Sequence, residues 1–305
     1  MTPDVVHPSQ DDPVTAALSE VLGGPVGTRA RGGRRSFAVA VLLALTSVTL
    51  AVGLASKTPC VSDQFQNADT IASRVCGTDL ASEYVGTGLV ELVWPWSDDP
   101  ATRARYAVTE QPALVGLWTW TAARVTHVLV GSPDTQARND VSVSDLAADP
   151  DIRRETTVFV AVNALGLALV ALLVTVAVAL THRRRPWDAA GWALAPVLAL
   201  SATASWDLLA VAAAAWAVFA WTRDRPVTAG WLIGLGAAAG TWPALLLVAF
   251  GVVALRGRRA ADLLPSAMAA TGVWLLANAP AFLSGRSEWE RYWSVATERG
   301  PETGT

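Results

Sequence analysis

The segment Phe37–Ala55 constrains the fold most, because its 19 residues carry no charge. As a helix rising about 1.5 Å per residue, it is long enough to cross a hydrocarbon core of roughly 30 Å. A signal peptide is the alternative, but its apolar core usually spans about 7–15 residues and starts near the terminus. Here the apolar run is longer and a long polar segment precedes it. We therefore predict a signal-anchor helix.

The composition indicates that more of the chain faces lipid. Charged residues make up 16% of the sequence, against about 25% in soluble domains, and the mean hydropathy is +0.36. These values argue against a soluble single domain. The net charge of −3 lacks the basic excess that phosphate-backbone binding requires, so no nucleic-acid partner is expected.

Seven apolar segments predict an all-α, polytopic membrane protein. The pair 228–240 and 242–256 is short and is split at Gly240–Pro243, which fits either a thin crossing pair or a re-entrant hairpin. We favour seven crossings over five. The predicted membrane-spanning helices are 37–55, 157–180, 188–204, 207–222, 228–240, 242–256 and 262–283.

Arginine clusters at 182–185, 223–225 and 256–259 set the expected orientation. By the positive-inside rule these loops lie in the cytoplasm, together with a disordered tail over residues 1–36. An even number of crossings must then separate the tail from residue 183. Residues 112–131 are therefore expected outside as an interfacial or re-entrant helix, the former in the preferred topology, within an extracytoplasmic loop covering 56–156. The plasma membrane is the expected location.

Both cysteines, Cys60 and Cys76, lie in this loop. An oxidising compartment would allow a disulfide between them, and two free thiols are the alternative. The glycines at 230, 234, 236 and 240 lack the strand that a dinucleotide loop needs, so we interpret them as sites of close helix packing. No cluster has the spacing of a zinc site, and no metal or cofactor is expected.

Several motifs follow one another in a characteristic order. They are Cys76–Glu91, Trp94–Trp96, Glu110–Pro112, Ser205–Ala210, Arg225–Gly230, Gly234–Pro243 and Asn278–Pro280, followed by Trp289, Arg299 and Gly300. In this order they resemble the actinobacterial polyprenol-phosphate-mannose-dependent mannosyltransferases of glycosyltransferase family 87, which have the GT-C membrane fold. The resemblance implies a GT-C-like helical bundle with a large extracytoplasmic first loop. Such proteins usually carry further helices, so the chain is expected to match their N-terminal portion.

The resemblance implies transfer of a sugar, mannose first, from a polyprenyl-phosphate lipid to a glycolipid or lipoglycan acceptor. Such transfer needs a base for the acceptor hydroxyl and donors or cations for the departing phosphate. Asp79 is the candidate base. The alternative for Asp79 is a structural role, as a solvated loop carboxylate or a helix N-cap. Asp63, which has a similar local sequence, is the second candidate for the base.

The resemblance also implies binding roles for residues in the extracytoplasmic loop and for Arg299. Candidate substrate-binding residues are Tyr84, Glu91, Glu110, Arg124, His127 and Arg299. Ordinary surface charge is the alternative for the charged members of this group. Asp207, at the head of an apolar span, is interpreted as a helix-dipole partner.

Three positions depart from the family pattern. Thr87 replaces an arginine, Gln111 a tyrosine and Gly240 a lysine. Two cations are therefore lost, and a lysine at position 240 would face the lipid phosphate. The alternative function is a non-catalytic or truncated relative that binds lipid-linked sugar or scaffolds an envelope-assembly complex. The oligomeric state is left open.

Overall fold

The computed structural model confirms an all-α protein. No strand occurs in the residues that the structure describes, which are 33–65, 67–74, 76–107, 110–182 and 185–298. Arg299 and residues 1–32 of the predicted tail lie outside these ranges. The predicted tail ends too late in the sequence. It was expected to extend to residue 36, but residues 33–36 form the first turn of a helix.

The α-helices are numbered here in chain order. They are α1 Gly33–Ser56, α2 Thr58–Ser62, α3 Ala68–Arg74, α4 Asp79–Gly86, α5 Pro100–Arg105, α6 Ala113–Leu129, α7 Val143–Ala148, α8 Pro150–Thr181, α9 Ala190–Ala193, α10 Pro196–Ser201, α11 Leu208–Trp221, α12 Pro226–Ala239, α13 Leu246–Arg256, α14 Leu263–Ser284 and α15 Arg286–Glu298. Short 3-10 segments occur at Leu89–Glu91, Gln136–Arg138, Pro186–Ala189, Trp242–Leu245 and Ala260–Asp262.

Three helices within the described ranges are long and apolar enough to cross a membrane. They are Ser36–Ser56, Pro150–Thr181 and Ala260–Ser284, and the shorter apolar helices are Leu208–Trp221, Pro226–Ala239 and Trp242–Arg256. Large apolar side chains point away from the bundle, with Leu165, Val248 and Leu276 exposed by 66%, 66% and 71%. Such exposure is typical of a surface that faces hydrocarbon.

The predicted helix 188–204 is wrong as a single helix, because the structure divides this segment. A 3-10 turn and α9 are followed by a break at Leu194–Ala195, and α10 begins at Pro196. Proline has no N–H to donate and drives the preceding residue out of the helical region, so the helix cannot continue. Thr49 of α1 donates a hydrogen bond to the carbonyl of Ala193 at 2.7 Å, which satisfies an oxygen freed by the break.

The arginine-bearing loops meet at one end of the bundle. Arg223 donates to the carbonyl of Leu180 at 2.7 Å, and Arg259 pairs with Asp224 at 2.5 Å. These contacts join the ends of α8, α11 and α13. The loops that were assigned to one side of the membrane from sequence are therefore neighbours in the fold.

Residues 57–149 fold over the opposite end and share an apolar core with the start of α8. This core contains Tyr84, Leu89, Val90, Ala122, Ala123, Leu146, Ile152 and Phe159. The loop is thus a packed structure of short helices, and α6 is its longest element.

Small residues let α12 and α14 pack closely. A Cβ atom added at Gly230 would overlap the carbonyl of Ser266, and one added at Gly234 would overlap the carbonyl of Ala270. Close backbone approach of this kind is how small residues four apart stabilise helix pairs in membranes. The interpretation as packing sites is confirmed for Gly230 and Gly234, but it is wrong for Gly240, where an added Cβ meets no atom closer than 3.5 Å.

We predict that Gly234→Ala lowers the free energy of unfolding by about 1–3 kcal/mol, because the added methyl group forces α12 and α14 apart. Gly272→Ala on α14 is the matched control, since a Cβ there meets no atom within 4 Å. Denaturant unfolding in detergent measures both variants. Equal stability of the two would contradict the packing account.

Candidate active site

A cleft of about 750 Å³ lies at the end of the bundle that is remote from the arginine loops. It is built from five separate stretches of chain: α4, the segment before α6, the turn before α11, the turn after α12, and α15. The lining residues are Asp79, Ser82, Glu83, Gly86, Thr87, Ala107, Glu110, Gln111, Pro112, Val115, Ser205, Trp206, Asp207, Ala239, Gly240, Thr241, Trp242 and Tyr292.

Asp79 is held at the start of α4 by contacts to the turn that precedes α11. Thr78 is the N-cap, and its hydroxyl accepts a hydrogen bond from the backbone N–H of Leu80 at 3.2 Å. The same hydroxyl donates to the carbonyl of Ala204 at 3.1 Å, and the N–H of Asp79 donates to that oxygen as well, also at 3.1 Å. Asp79 itself is therefore not the cap, and its exposed side chain is left to line the cleft.

Asn163, in the middle of α8, fixes the other wall of the cleft. Its side chain is fully buried, and its Oδ1 accepts hydrogen bonds from the indole N–H groups of Trp118 and Trp206, each at 3.0 Å. Its Nδ2 donates to the carbonyl of Phe159 at 2.9 Å. One amide thus ties α6 and the turn carrying Asp207 to the longest helix.

The C-terminal helix α15 adds Tyr292 to the cleft. Trp289 donates to Asn278 of α14 at 2.8 Å, and Trp94 of the loop donates to Ser284 at 2.7 Å. The first contact holds α15 against α14, and the second holds the end of α14 against the loop. Burial raises the pKa of Tyr292, so its hydroxyl stays protonated as a hydrogen-bond donor near neutral pH.

Tyr84 lies outside the cleft, on the face of α4 that packs into the apolar core. Its ring stacks on Phe159 with centroids 4.7 Å apart, and its hydroxyl donates to Glu155 at 3.3 Å. Arg138 holds the same carboxylate with two hydrogen bonds, of 3.0 and 2.6 Å. Burial, followed by the nearby Glu155 carboxylate, raises the pKa of Tyr84. With 1% of its surface exposed, Tyr84 has a packing role in place of the expected substrate contact.

Glu91 also lies away from the cleft lining. Its carboxylate forms an ion pair with Arg105 at 2.7 Å, and its side chain is 6% exposed. This pair joins the 3-10 turn at Leu89–Glu91 to α5. The structure therefore gives Glu91 a partner within the protein in place of the expected acceptor.

Arg124 and His127 are on α6, beyond the part of this helix that reaches the cleft. Arg124 is exposed and lies over the ring of Trp120, 4.1 Å from its centroid. It is nine residues beyond Val115 in the lining, or roughly 13 Å along the helix axis. Of the predicted binding residues, the cleft contains Glu110 and excludes Tyr84, Glu91, Arg124 and His127.

Cys60 and Cys76 form a disulfide with their Cα atoms 6.0 Å apart. The bond joins α2, directly after the first long helix, to the segment that leads into α4. Asp79 follows three residues after Cys76, so the disulfide limits how far this end of the loop can move.

The electrostatic character of the cleft is acidic. Four carboxylates line it, and the described lining includes no lysine, arginine or histidine. Thr87 and Gly240, the positions where the sequence resemblance implies cations, both belong to this lining, as does Gln111. The departures noted in the sequence are thus gathered at one site, beside Asp79.

Sequence reasoning missed Glu83 and Tyr292 and undervalued Asp207. Asp207 precedes α11 and makes no side-chain capping bond to it, while its carboxylate accepts from Ser205 at 2.8 Å. Asn163 was also missed, although a lone amide within an apolar span is the usual sign of a specific role in a membrane helix.

The fold and the cleft define an all-α polytopic membrane protein with a polar site at one end of its helices. The family model described as glycosyltransferase family 87 matches residues 153–303, just under half of the chain. The match supports membership of that family and, with it, a membrane glycosyltransferase.

No curated protein and no solved structure gives a significant match. The matched range contains Asp207, Thr241 and Tyr292 of the cleft, while Asp79 and Glu110 precede it. The assignment of the cleft to a glycosyltransferase therefore has two kinds of support. The family match supports the wall that contains Asp207, Thr241 and Tyr292, and the order of sequence motifs supports the wall that contains Asp79 and Glu110.

We predict that Asn163→Leu lowers the free energy of unfolding by about 1–3 kcal/mol for each indole N–H that loses its acceptor in the dry interior. Asn139→Leu provides the control, because Asn139 is exposed in the loop. Thermal unfolding in detergent compares the two variants. A similar melting temperature for both would contradict the role assigned to Asn163.

Proposed function

We propose that the protein transfers a sugar, mannose first, from a polyprenyl-phosphate donor to a cell-envelope glycolipid or lipoglycan. The reaction takes place in the cleft, at the extracytoplasmic face of the plasma membrane. The observation that carries the proposal is the position of Asp79, which shares one cleft with Asp207 and Tyr292 from the family-matched part of the chain.

The chemistry follows from the residues present. The Asp79 carboxylate takes the proton of an acceptor hydroxyl, whose oxygen attacks the anomeric carbon while the bond from that carbon to the phosphate oxygen breaks. The polyprenyl phosphate leaves with the bonding electrons, and the sugar is inverted at its anomeric carbon. Glu110 and the Tyr292 hydroxyl border the same space and supply hydrogen-bonding groups for sugar hydroxyls.

The position of the cleft suits a substrate that is part lipid and part sugar. Thr241 lines the cleft and also borders an apolar cavity between α12 and α14 that contains Trp274 and Trp293. The arginine loops lie at the far end of the bundle. By the positive-inside rule, the cleft then opens outside the cytoplasm.

We expect Asp79→Asn to reduce transfer by about 10²–10⁴-fold, the usual contribution of a general base, with an unchanged amount of folded protein. The assay follows labelled mannose from polyprenyl-phosphate mannose into glycolipid in proteoliposomes. Asp63→Asn is the matched control, because Asp63 has a similar local sequence but lies outside the cleft lining. Wild-type turnover by Asp79→Asn would refute the proposal.

One observation favours the second candidate, a relative that binds lipid-linked sugar without transferring it. Asp79, Glu83, Glu110 and Asp207 give the cleft negative charge, while Thr87 and Gly240 stand where the sequence resemblance implies cations. A phosphate in this space meets repulsion that a neutral sugar does not.

The Gly240→Lys variant tests how far the lost cation limits phosphate binding. A Cβ at this position meets its nearest atom, the Cβ of Ala210, at an ordinary 3.5 Å, so the backbone accommodates the start of a side chain. We expect about tenfold tighter binding of polyprenyl phosphate, the equivalent of one charge-assisted contact.

Gly191→Lys, at the arginine end of the bundle, adds the same charge far from the cleft and provides the control. Equilibrium binding of polyprenyl phosphate to both variants is the measurement. Unchanged affinity for Gly240→Lys would show that the donor phosphate does not reach position 240.

A further inference from the structure

Lys57 is the single lysine of the chain, and it lies between α1 and α2. It is 6% exposed, and its Nζ atom has no hydrogen-bond partner among the described residues. A buried ammonium without a partner is unfavourable unless an opposite charge is near. The position of this one amine therefore needs an explanation.

The disulfide provides the geometric link between Lys57 and the cleft. The N–H of Cys60 donates to the carbonyl of Lys57 at 3.1 Å, which places Lys57 one turn before the bonded cysteine. Cys76, with its Cα atom 6.0 Å from that of Cys60, is three residues before Asp79. The segments 57–60 and 76–79 are thus joined by the disulfide. This bond keeps Lys57 and Asp79 in the same region of the protein.

Electrostatics single out Asp79 among the charged groups around Lys57. Burial lowers the pKa of Lys57, and the field of Asp79 raises it. The other charged side chains on α2 or its C-cap, α3 and α4 are Asp63, Asp69, Arg74 and Glu83, and none of these exerts a resolved effect on Lys57. Lys57 is absent from the cleft lining while Asp79 belongs to it. The buried amine and the Asp79 carboxylate therefore belong to one disulfide-linked unit, and the field of Asp79 acts on Lys57.

We propose that Lys57 is a positioning residue for Asp79, whose ammonium stabilises the charged carboxylate against the neighbouring acidic side chains. Glu83, Glu110 and Asp207 share the cleft with Asp79, and charges of like sign in one space repel each other. Lys57 supplies the opposite charge. This role rests on the proposed function, because it concerns the base of that reaction.

The first test measures the pair without any activity. Because the chain has one lysine, protein labelled with ¹³C at lysine Cε gives a single side-chain signal, whose shift follows the titration of Lys57. In Asp79→Asn the pKa of Lys57 is expected to fall, since the carboxylate that raises it is gone. Asp63→Asn is expected to leave it unchanged. An identical Lys57 titration in wild type and Asp79→Asn overturns the inference, whatever the protein catalyses.

The second test is the pH profile of sugar transfer. In Lys57→Met the acidic limb of the pH–rate profile is expected to move to higher pH. The reason is that the proposed base, Asp79, loses the cation that favours its charged form. Lys57→Arg keeps the charge and is expected to restore the wild-type limb. A limb that stays in place in Lys57→Met overturns the inference. Wild-type turnover by Asp79→Asn would instead refute the proposed function and leave the measured pairing intact.

Discussion

The buried side chain of Asn163 is the interaction on which the site depends. Membrane interiors provide no water for unpaired polar groups, so an amide in an apolar helix is retained where its hydrogen bonds are satisfied. Here all three of its bonds are made within the protein, two of them to indole groups from other segments. Without this acceptor, α6 and the turn before α11 would each lose a hydrogen bond to α8. The two walls of the cleft would then be less firmly positioned relative to each other.

Asp79 is fixed by a second set of contacts that is independent of the first. Backbone and hydroxyl bonds tie the start of α4 to Ala204, and the Cys60–Cys76 bond ties the preceding segment to the end of α1. The proposed electrostatic partner, Lys57, belongs to the same unit. An exposed carboxylate is thus carried on a segment that is tied to two other parts of the fold, which suits the proposed role of Asp79 as general base.

The sequence analysis predicted well what depends on hydrophobic pattern and on local packing. The uncharged run at 37–55, the helical class and the close approach of Gly230 and Gly234 to α14 follow from residue size and polarity. It could not predict long-range partners. Tyr84 and Glu91 look like binding residues in the motif, but Glu155 and Arg105 occupy them in the fold, and no local pattern gives these pairings.

The cleft itself shows a further limit of sequence reasoning. Pro196 was overlooked as a helix break in 188–204, although proline inside an apolar run is a local signal. The gathering of Thr87, Gln111 and Gly240 beside Asp79 depends on how five segments meet. The acidic character of the cleft therefore became apparent only from the three-dimensional arrangement.

Labelling of a single introduced cysteine at Thr241 would test the central claim most directly. Both native cysteines are in the disulfide, so Thr241→Cys supplies the free thiol, with Gly191→Cys as its counterpart at the arginine end. The account predicts that a membrane-impermeant maleimide labels position 241 in intact cells, that polyprenyl-phosphate mannose slows this labelling, and that position 191 reacts only after permeabilisation. Labelling of 191 and not 241 in intact cells, or labelling of 241 that the donor does not change, would contradict it.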